Sequence, residues 1–224
     1  DAEAKRLGIC IIGGHTETVA GLARPLLSLT CMGPTDRYVP TGGAEPGDAV
    51  ILTKGAGIEA TAVLATDFRD ALESNGVDPE TIDRAVGFFD DVSVLPESVV
   101  LAPVATAMHD PTEGGVRNGL VEVACASGVR IDVDEADVPV LPETRALCAA
   151  MDVDPLRILG SGALLATVPG DAAAETVDAL TAEGIDATAI GTVAEPAGED
   201  DVGVVSDGER FVDGVRDDMY DLWE

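Results

Sequence analysis

Apolar and polar positions alternate along the chain in short strand-like runs and longer stretches of helical spacing. GICII (residues 8–12) and PLLSLTCM (25–32) read as buried strands separated by a short segment rich in Gly and Thr. Residues 34–48 (PTDRYVPTGGAEPGD) form a loop by their Pro and Gly content, and Pro46-Gly47-Asp48 turns the chain into a third strand, AVILT (49–53). After KGAG, residues 58–75 combine helical spacing with good helix formers and end near Gly76, and a further helix is expected from Pro79 towards Phe89. SVVLAP (98–103) reads as another strand. The pattern then predicts a helix over 114–127 stopped by Gly128, a strand at 129–133, a helix at 142–151, a strand at 163–168, a helix at 171–184 and a strand at 187–193. Residues 196–206 read as a charged turn and a short strand, and residues 210–224 as a strand followed by an amphipathic helix.

Strands and helices in alternation place the chain in the α/β class, as α+β layers with helices stacked on a sheet, and leave parallel and antiparallel pairing open. A boundary is expected near Pro96, giving a first unit at 1–95, a second at 96–195 and a C-terminal extension at 196–224. No repeat of fixed period is present.

Composition narrows the classes. With 224 residues and 46% hydrophobic content the chain has ample material for a core. Its longest apolar stretches, such as residues 99–108, fall well short of the roughly 20 residues that span a bilayer, which argues against a membrane partner. The start, DAEAKRLGICIIGG, has neither an initiator Met nor the basic-then-apolar order of a signal peptide, so an upstream segment is expected. Forty-two acidic residues against 13 basic ones give a formal charge of -29, which makes nucleic acid a poor partner. Lys5 and Lys54 are the only lysines. Acidic residues spread among apolar periods, with Lys nearly absent, read as adaptation to a high-salt cytoplasm, where a Debye length of about 3 Å at 1 M salt screens self-repulsion. Cys10, Cys31, Cys125 and Cys148 lie in apolar runs without C-x-x-C spacing, which predicts buried thiols in a reducing interior.

Two glycine loops carry the candidate chemistry, and each holds one of the two histidines. In GGHTE (13–17), Gly13 and Gly14 permit a sharp turn that aims His15, Thr16 and Glu17 at a ligand or at Mg²⁺; the alternative is a turn whose polar side chains only satisfy backbone donors. In HDPTEGG (109–115), Pro111 fixes the turn and Thr112 caps a helix whose first amides, at Gly114 and Gly115, form an anion site; the alternative is an ordinary capped helix. Asp110 is placed to bind a metal or orient His109, and Glu113 to complement the helix dipole. Lys54, at a strand end, reads equally as a phosphate ligand or a solvated terminus. Gly55-x-Gly57-x-x-Ala60 after a strand imitates a dinucleotide fingerprint, but the acidic second strand of that motif is missing.

In order, GGHTE, PGDAVILTKGAGIEATAVLA (46–65), MHDPTEGGVRNGLVEVACASGVRI (108–131), PLRILGSGALLATV (155–168) and AIGTV (189–193) resemble the AIR synthase-related (PurM-like) superfamily, in wording nearest to its hydrogenase-maturation branch, HypE, and to archaeal AIR synthase-related proteins. The resemblance covers residues 8 to about 195. It implies a two-domain AIR synthase-like fold with the first domain truncated at its N-terminus, dimerising through that domain. It implies ATP and Mg²⁺ as cofactors and transfer of the γ-phosphoryl group to an amide-type oxygen of a small or peptide-borne substrate, activating it for cyclisation or dehydration. A non-catalytic binding or assembly module is the alternative. On these readings the candidate catalytic groups are His15, Glu17, His109 and Asp110. The candidate phosphate or substrate ligands are Gly13, Gly14, Thr16, Lys54, Thr112, Glu113, Gly114 and Gly115, and the candidate metal ligands are Glu17 and Asp110. His15 stands where the family carries Asp or Glu. The last cysteine is Cys148, whereas HypE uses one at its C-terminus.

Overall fold

The apolar run at 49–53 becomes Asp48–Thr53 (β1), a strand buried along its whole length in the computed structural model, which describes residues 2–224. Its alternating side chains enter two cores. Val50 and Leu52 join the apolar cluster on one face of a sheet, and Ala49 and Ile51 join the cluster on the other. A strand covered on both faces loses its polar alternation, which is why this run reads as continuously apolar.

The remaining strands are Ala107–His109 (β2), Arg130–Val133 (β3), Leu165–Pro169 (β4), Ala187–Ala194 (β5), Gly203–Ser206 (β6) and Glu209–Phe211 (β7). They form one seven-stranded sheet in the order β2-β4-β1-β5-β3-β6-β7. All pairs are antiparallel except β3 with β6, and β1 bulges against β5 between Val50 and Ile51. The helices are Ala2–Arg6 (α1), Ile58–Asp67 (α2), Arg69–Ser74 (α3), Pro79–Val86 (α4), Leu95–Leu101 (α5), Gly115–Ser127 (α6), Pro142–Met151 (α7) and Ala173–Ala182 (α8). Residues Val116, Leu120, Val123 and Ala124 of α6 cover one face of the sheet, and Leu101 of α5 with Leu180 of α8 covers the other. A third cluster joins α2, α3, α4 and α7 through Leu64, Leu72, Ile82, Leu147 and Cys148, together with Met219 from the C-terminal segment.

Several elements differ from the sequence reading. The helix expected over 58–75 breaks at Phe68, where φ is -120°, into α2 and α3. The run at 98–103 is helical through Leu101 rather than extended: Pro96 lies in the first turn of α5, where its missing N–H costs nothing, and burial of Leu101 against α8 outweighs the β-propensity of two valines. The boundary expected near Pro96 lies inside that helix. By its contacts the chain divides into residues 1–36 and 37–224, and the 196–224 segment gives β6 and β7 to the common sheet.

Within the first unit α1 is the only regular element among the described residues. The strands read at 8–12 and 25–32 do not form, since no strand pairs with them; Ile12, Leu26 and Leu29 are more than 80% exposed. Cys10 and Cys31 are exposed with them, as is Cys125, so of the four thiols only Cys148 is buried as expected. Burial pushes the Cys148 thiol up to about 12. No helix among the described residues is long and apolar enough to cross a membrane.

Candidate functional site

The two glycine loops meet different fates. Residues 11–19, which include GGHTE, adopt neither a turn nor a strand, and neither Gly13 nor Gly14 uses a positive φ. The sharp turn read there is therefore absent. His15 Nε2 lies 3.7 Å from Glu17 Oε2, with both side chains mostly exposed. Thr16 is exposed beside them.

HDPTEGG forms the junction expected between a strand and a helix, but the cap position falls to Gly114 and the Thr112 side chain does not cap the helix, Thr112 contributing its carbonyl to the Gly115 N–H instead. His109 ends β2, Asp110, Thr112 and Glu113 are exposed, and Gly114 and Gly115 are buried at the start of α6. Gly115 has φ of 63°, and a Cβ there would stand 2.5 Å from the Ile158 carbonyl oxygen, so this position requires glycine. Hydrogen bonds from the Thr112 side chain and its own amide hold the Glu113 carboxyl below the usual range.

The helix start is already occupied from within the chain. The Gly114 N–H donates to Asp217 Oδ2 at 2.7 Å, the Gly115 N–H to the Thr112 carbonyl, and the Arg117 N–H to the Leu156 carbonyl. Asp217 is 2% exposed and also accepts from the Met219 N–H through Oδ1. Burial pushes its carboxyl up, helped by the nearby Asp218 and Glu113 charges and opposed by the two N–H donors. Around this cap, Asn118 exchanges two hydrogen bonds with Val215, and Arg157 pairs with Asp218 at 3.1 Å. A carboxylate thus sits where a phosphate was expected, in accord with the preference of helix N-termini for anions. While Asp217 holds it, the Gly114 amide is closed to an outside ligand.

Lys54 is likewise engaged. It has φ of 56°, an uncommon left-handed conformation for a side-chain-bearing residue, at the end of β1. Its ammonium lies 2.8 Å from Glu97 Oε1, 2.8 Å from the Asp91 carbonyl and 2.9 Å from the Ser93 carbonyl. Two carbonyls accept hydrogen bonds from the ammonium and the Glu97 carboxylate pairs its charge, so the lysine is already engaged within the chain. Glu97, 1% exposed, also accepts from the Thr53 hydroxyl. The pair forms part of the lining of an open cleft of about 350 Å³ with Asp90, Asp186 and Leu141.

His109 bridges two elements. Its Nδ1 is 3.2 Å from the Thr41 hydroxyl. Its Nε2 is 2.6 Å from Glu122 Oε2 of α6, off the direction of a hydrogen bond. Among the described residues no group of three or more His, Cys, Asp or Glu side chains is placed to hold a metal ion. Thr41, Glu122 and Asp217 were not singled out from the sequence. Their partners are 68, 13 and 103 residues away, and only Asp217, directly before a short helical turn, has a local capping signature.

Both neighbours of β1 run antiparallel to it, so Gly55-x-Gly57-x-x-Ala60 does not open the parallel unit that a dinucleotide fingerprint needs. The family of AIR synthase related proteins, C-terminal domain, instead matches residues 45–203. This chain belongs to that family. The carbamoyl dehydratase HypE of Cupriavidus necator is 32% identical over 213 residues, covering 93% of this chain and 56% of that protein. Escherichia coli HypE, a hydrogenase maturation protein solved by crystallography, superposes with a TM-score of 0.61 at 26% identity, covering 82% of this chain and 52% of that one. A crystal structure of HypE in complex with ATP shares the fold at 22% identity and a TM-score of 0.57, covering 80% of this chain and 53% of that one. The chain spans just over half the length of these relatives.

Proposed function

We propose that this chain works in an ATP-dependent enzyme of the AIR synthase and HypE type, which phosphorylates an amide-type oxygen and so activates it for dehydration or cyclisation. The observation that carries this reading is family membership across 45–203, joined to 93% coverage of the chain by a carbamoyl dehydratase. Phosphoryl transfer of this kind depends on rigid placement and charge stabilisation of the reacting oxygens. The seven-stranded sheet supplies a rigid base, and the strand-to-helix loop at 109–115 a polar edge in which Gly115 admits no side chain.

Neither the helix start at Gly114 nor Lys54 offers a free phosphate cradle here, because Asp217 caps Gly114 and Lys54 is held by two carbonyls and paired with Glu97. Neither residue is given the γ-phosphate. Among the described residues no group of three or more His, Cys, Asp or Glu side chains gathers for a metal ion, and His15 beside Glu17 is a poor ligand for Mg²⁺. Mg²⁺ enters this reading as the counter-ion that the nucleotide brings. His109 is the group suited to proton handling, half-buried between a hydroxyl and a carboxylate.

The same occupied groups favour a second reading, a non-catalytic AIR synthase-like module for binding or assembly. Calorimetric titration with Mg·ATP in molar KCl separates the two, combined with ADP release in the presence of small carboxamides and of peptides bearing a carbamoyl group. Saturable binding with substrate-stimulated ADP release supports the enzyme. Absence of both supports the module.

A further inference from the structure

His109 stands between the Thr41 hydroxyl and the Glu122 carboxylate. We propose that Thr41, His109 and Glu122 form a hydroxyl–imidazole–carboxylate relay in which the Thr41 oxygen accepts an acyl group from an activated ester or carbamate. This activity needs no nucleotide and stands apart from the reading above.

Three observations carry it. The first is the relay itself: Thr41 Oγ1 to His109 Nδ1 is 3.2 Å, and His109 Nε2 to Glu122 Oε2 is 2.6 Å. A nucleophile within reach of a base, with that base placed against a third group, is the general signature of an activated hydroxyl. A carboxylate at Nε2 favours the tautomer protonated there, which leaves Nδ1 as the acceptor facing Thr41. The Glu122 carboxylate acts on the ring through its charge, since it stands against Nε2 without a hydrogen bond to it.

The second is the pair of amides that follow. Met108 N–H donates to the Pro40 carbonyl and Ala44 N–H to the Ser127 hydroxyl, yet the N–H groups of Gly42 and Gly43 meet no acceptor among the described residues. Amides directly after a nucleophile are where an acyl-transfer site stabilises its oxyanion.

The third is that the turn is held rigidly while its outer side faces solvent. A Cβ at Gly43 would stand 2.2 Å from the Thr106 carbonyl oxygen, so the backbone is pressed against the residue preceding β2. Gly42 is exposed and Thr41 half-buried, which leaves an approach to the hydroxyl.

In the step, Thr41 Oγ1 attacks the carbonyl carbon and its proton passes to His109 Nδ1. The oxyanion rests on the Gly42 and Gly43 amides. The bond from carbon to the leaving alkoxide or phenoxide breaks, and the imidazolium returns the proton to that oxygen, giving the Thr41 ester and a free alcohol or phenol. Hydrolysis of the ester runs the same transfers with water as nucleophile.

The test uses 4-nitrophenyl acetate on the chain in molar KCl, following phenolate release and mapping the acetyl group by mass spectrometry of tryptic peptide 38–54, which contains Thr41. The expected result is acetylation at Thr41, lost in Thr41→Val, kept in Thr41→Ser, and slowed about 10²-fold or more in His109→Gln, the usual contribution of a positioned base. Circular dichroism of each variant establishes that it folds. Glu122→Gln is expected to slow acetylation of Thr41 in the folded protein, a rate effect that a purely structural His109–Glu122 pair would leave unmoved. Acetyl found on Tyr38 or the lysines instead, or equal labelling of folded Thr41→Val, overturns the proposal.

Discussion

Lys54→Met isolates the energetic consequence of a buried ion pair at the end of β1. The ammonium sits 2.8 Å from Glu97 Oε1, and Glu97 is 1% exposed. Removing the lysine leaves a carboxylate away from water with only the Thr53 hydroxyl, at 3.3 Å, to compensate it. Breaking a buried pair in this way costs about 3–5 kcal/mol. Loss of the two bonds to the Asp91 and Ser93 carbonyls acts in the same direction, because those oxygens fix the segment leading into α5. For a chain of this size each kcal/mol lowers the melting temperature by about 2–4 °C, so the expected fall is roughly 6–20 °C. The double variant Lys54→Met/Glu97→Leu removes both charges and is expected to recover most of that loss, since replacing a buried pair with apolar groups is often close to neutral. Urea unfolding in molar KCl, followed by far-ultraviolet circular dichroism, measures the parent, these two variants and Glu97→Leu, which together give the coupling between the sites. A cost below about 1 kcal/mol for Lys54→Met would refute the reasoning, because it is the value of an exposed pair.

Asp217→Ala orphans the buried Gly114 N–H and is expected to cost about 1–3 kcal/mol, releasing the C-terminal segment; a change in the emission of Trp223, whose ring lies 5.5 Å from Phe68, reports it. The Asp217 carboxyl is raised by burial, so its contribution is fully present below the ordinary aspartate value and is lost as pH rises through the raised folded value; Asp217→Asn should remove that part of the pH dependence of unfolding. A disulfide reagent at pH 8 should titrate Cys10, Cys31 and Cys125 quickly and reach Cys148 only on unfolding, since the latter is buried with its pKa near 12; four equal rates would contradict the packing of α7. Lowering KCl below about 0.2 M should loosen the fold through repulsion among the -29 net charges, and an unchanged melting curve there would count against adaptation to salt.

What was legible in the sequence follows the range of the interactions responsible. The helix at Gly115–Ser127 carries its own start and stop: glycine in the left-handed region at Gly114 and again at Gly128, with apolar spacing between. The run at 98–103 misled because two adjacent valines look extended, whereas Pro96 at a helix start and the contact of Leu101 with Leu180 decide the matter across 79 residues. The segments at 8–12 and 25–32 misled in the opposite way. Apolar composition marks what a strand would use, but a strand exists only where another supplies its ladder, and residues 1–36 provide none.

The candidate site shows the same limit more sharply. The sequence located HDPTEGG as an anion-seeking helix start, and an anion is there. Its source, Asp217, is 103 residues downstream in a region read only as an amphipathic end. The charge preference of the helix was therefore readable, while the identity of the partner depended on tertiary placement. This difference bears on function. An enzyme that uses the Gly114 amide must first move Asp217, which uncovers a buried N–H beside the Asn118–Val215 and Arg157–Asp218 contacts. A module that does not use it has no such requirement. Nucleotide binding by the Asp217→Ala variant distinguishes these cases: tighter binding than in the parent chain marks the cap as a competitor of phosphate, and unchanged binding places the nucleotide elsewhere.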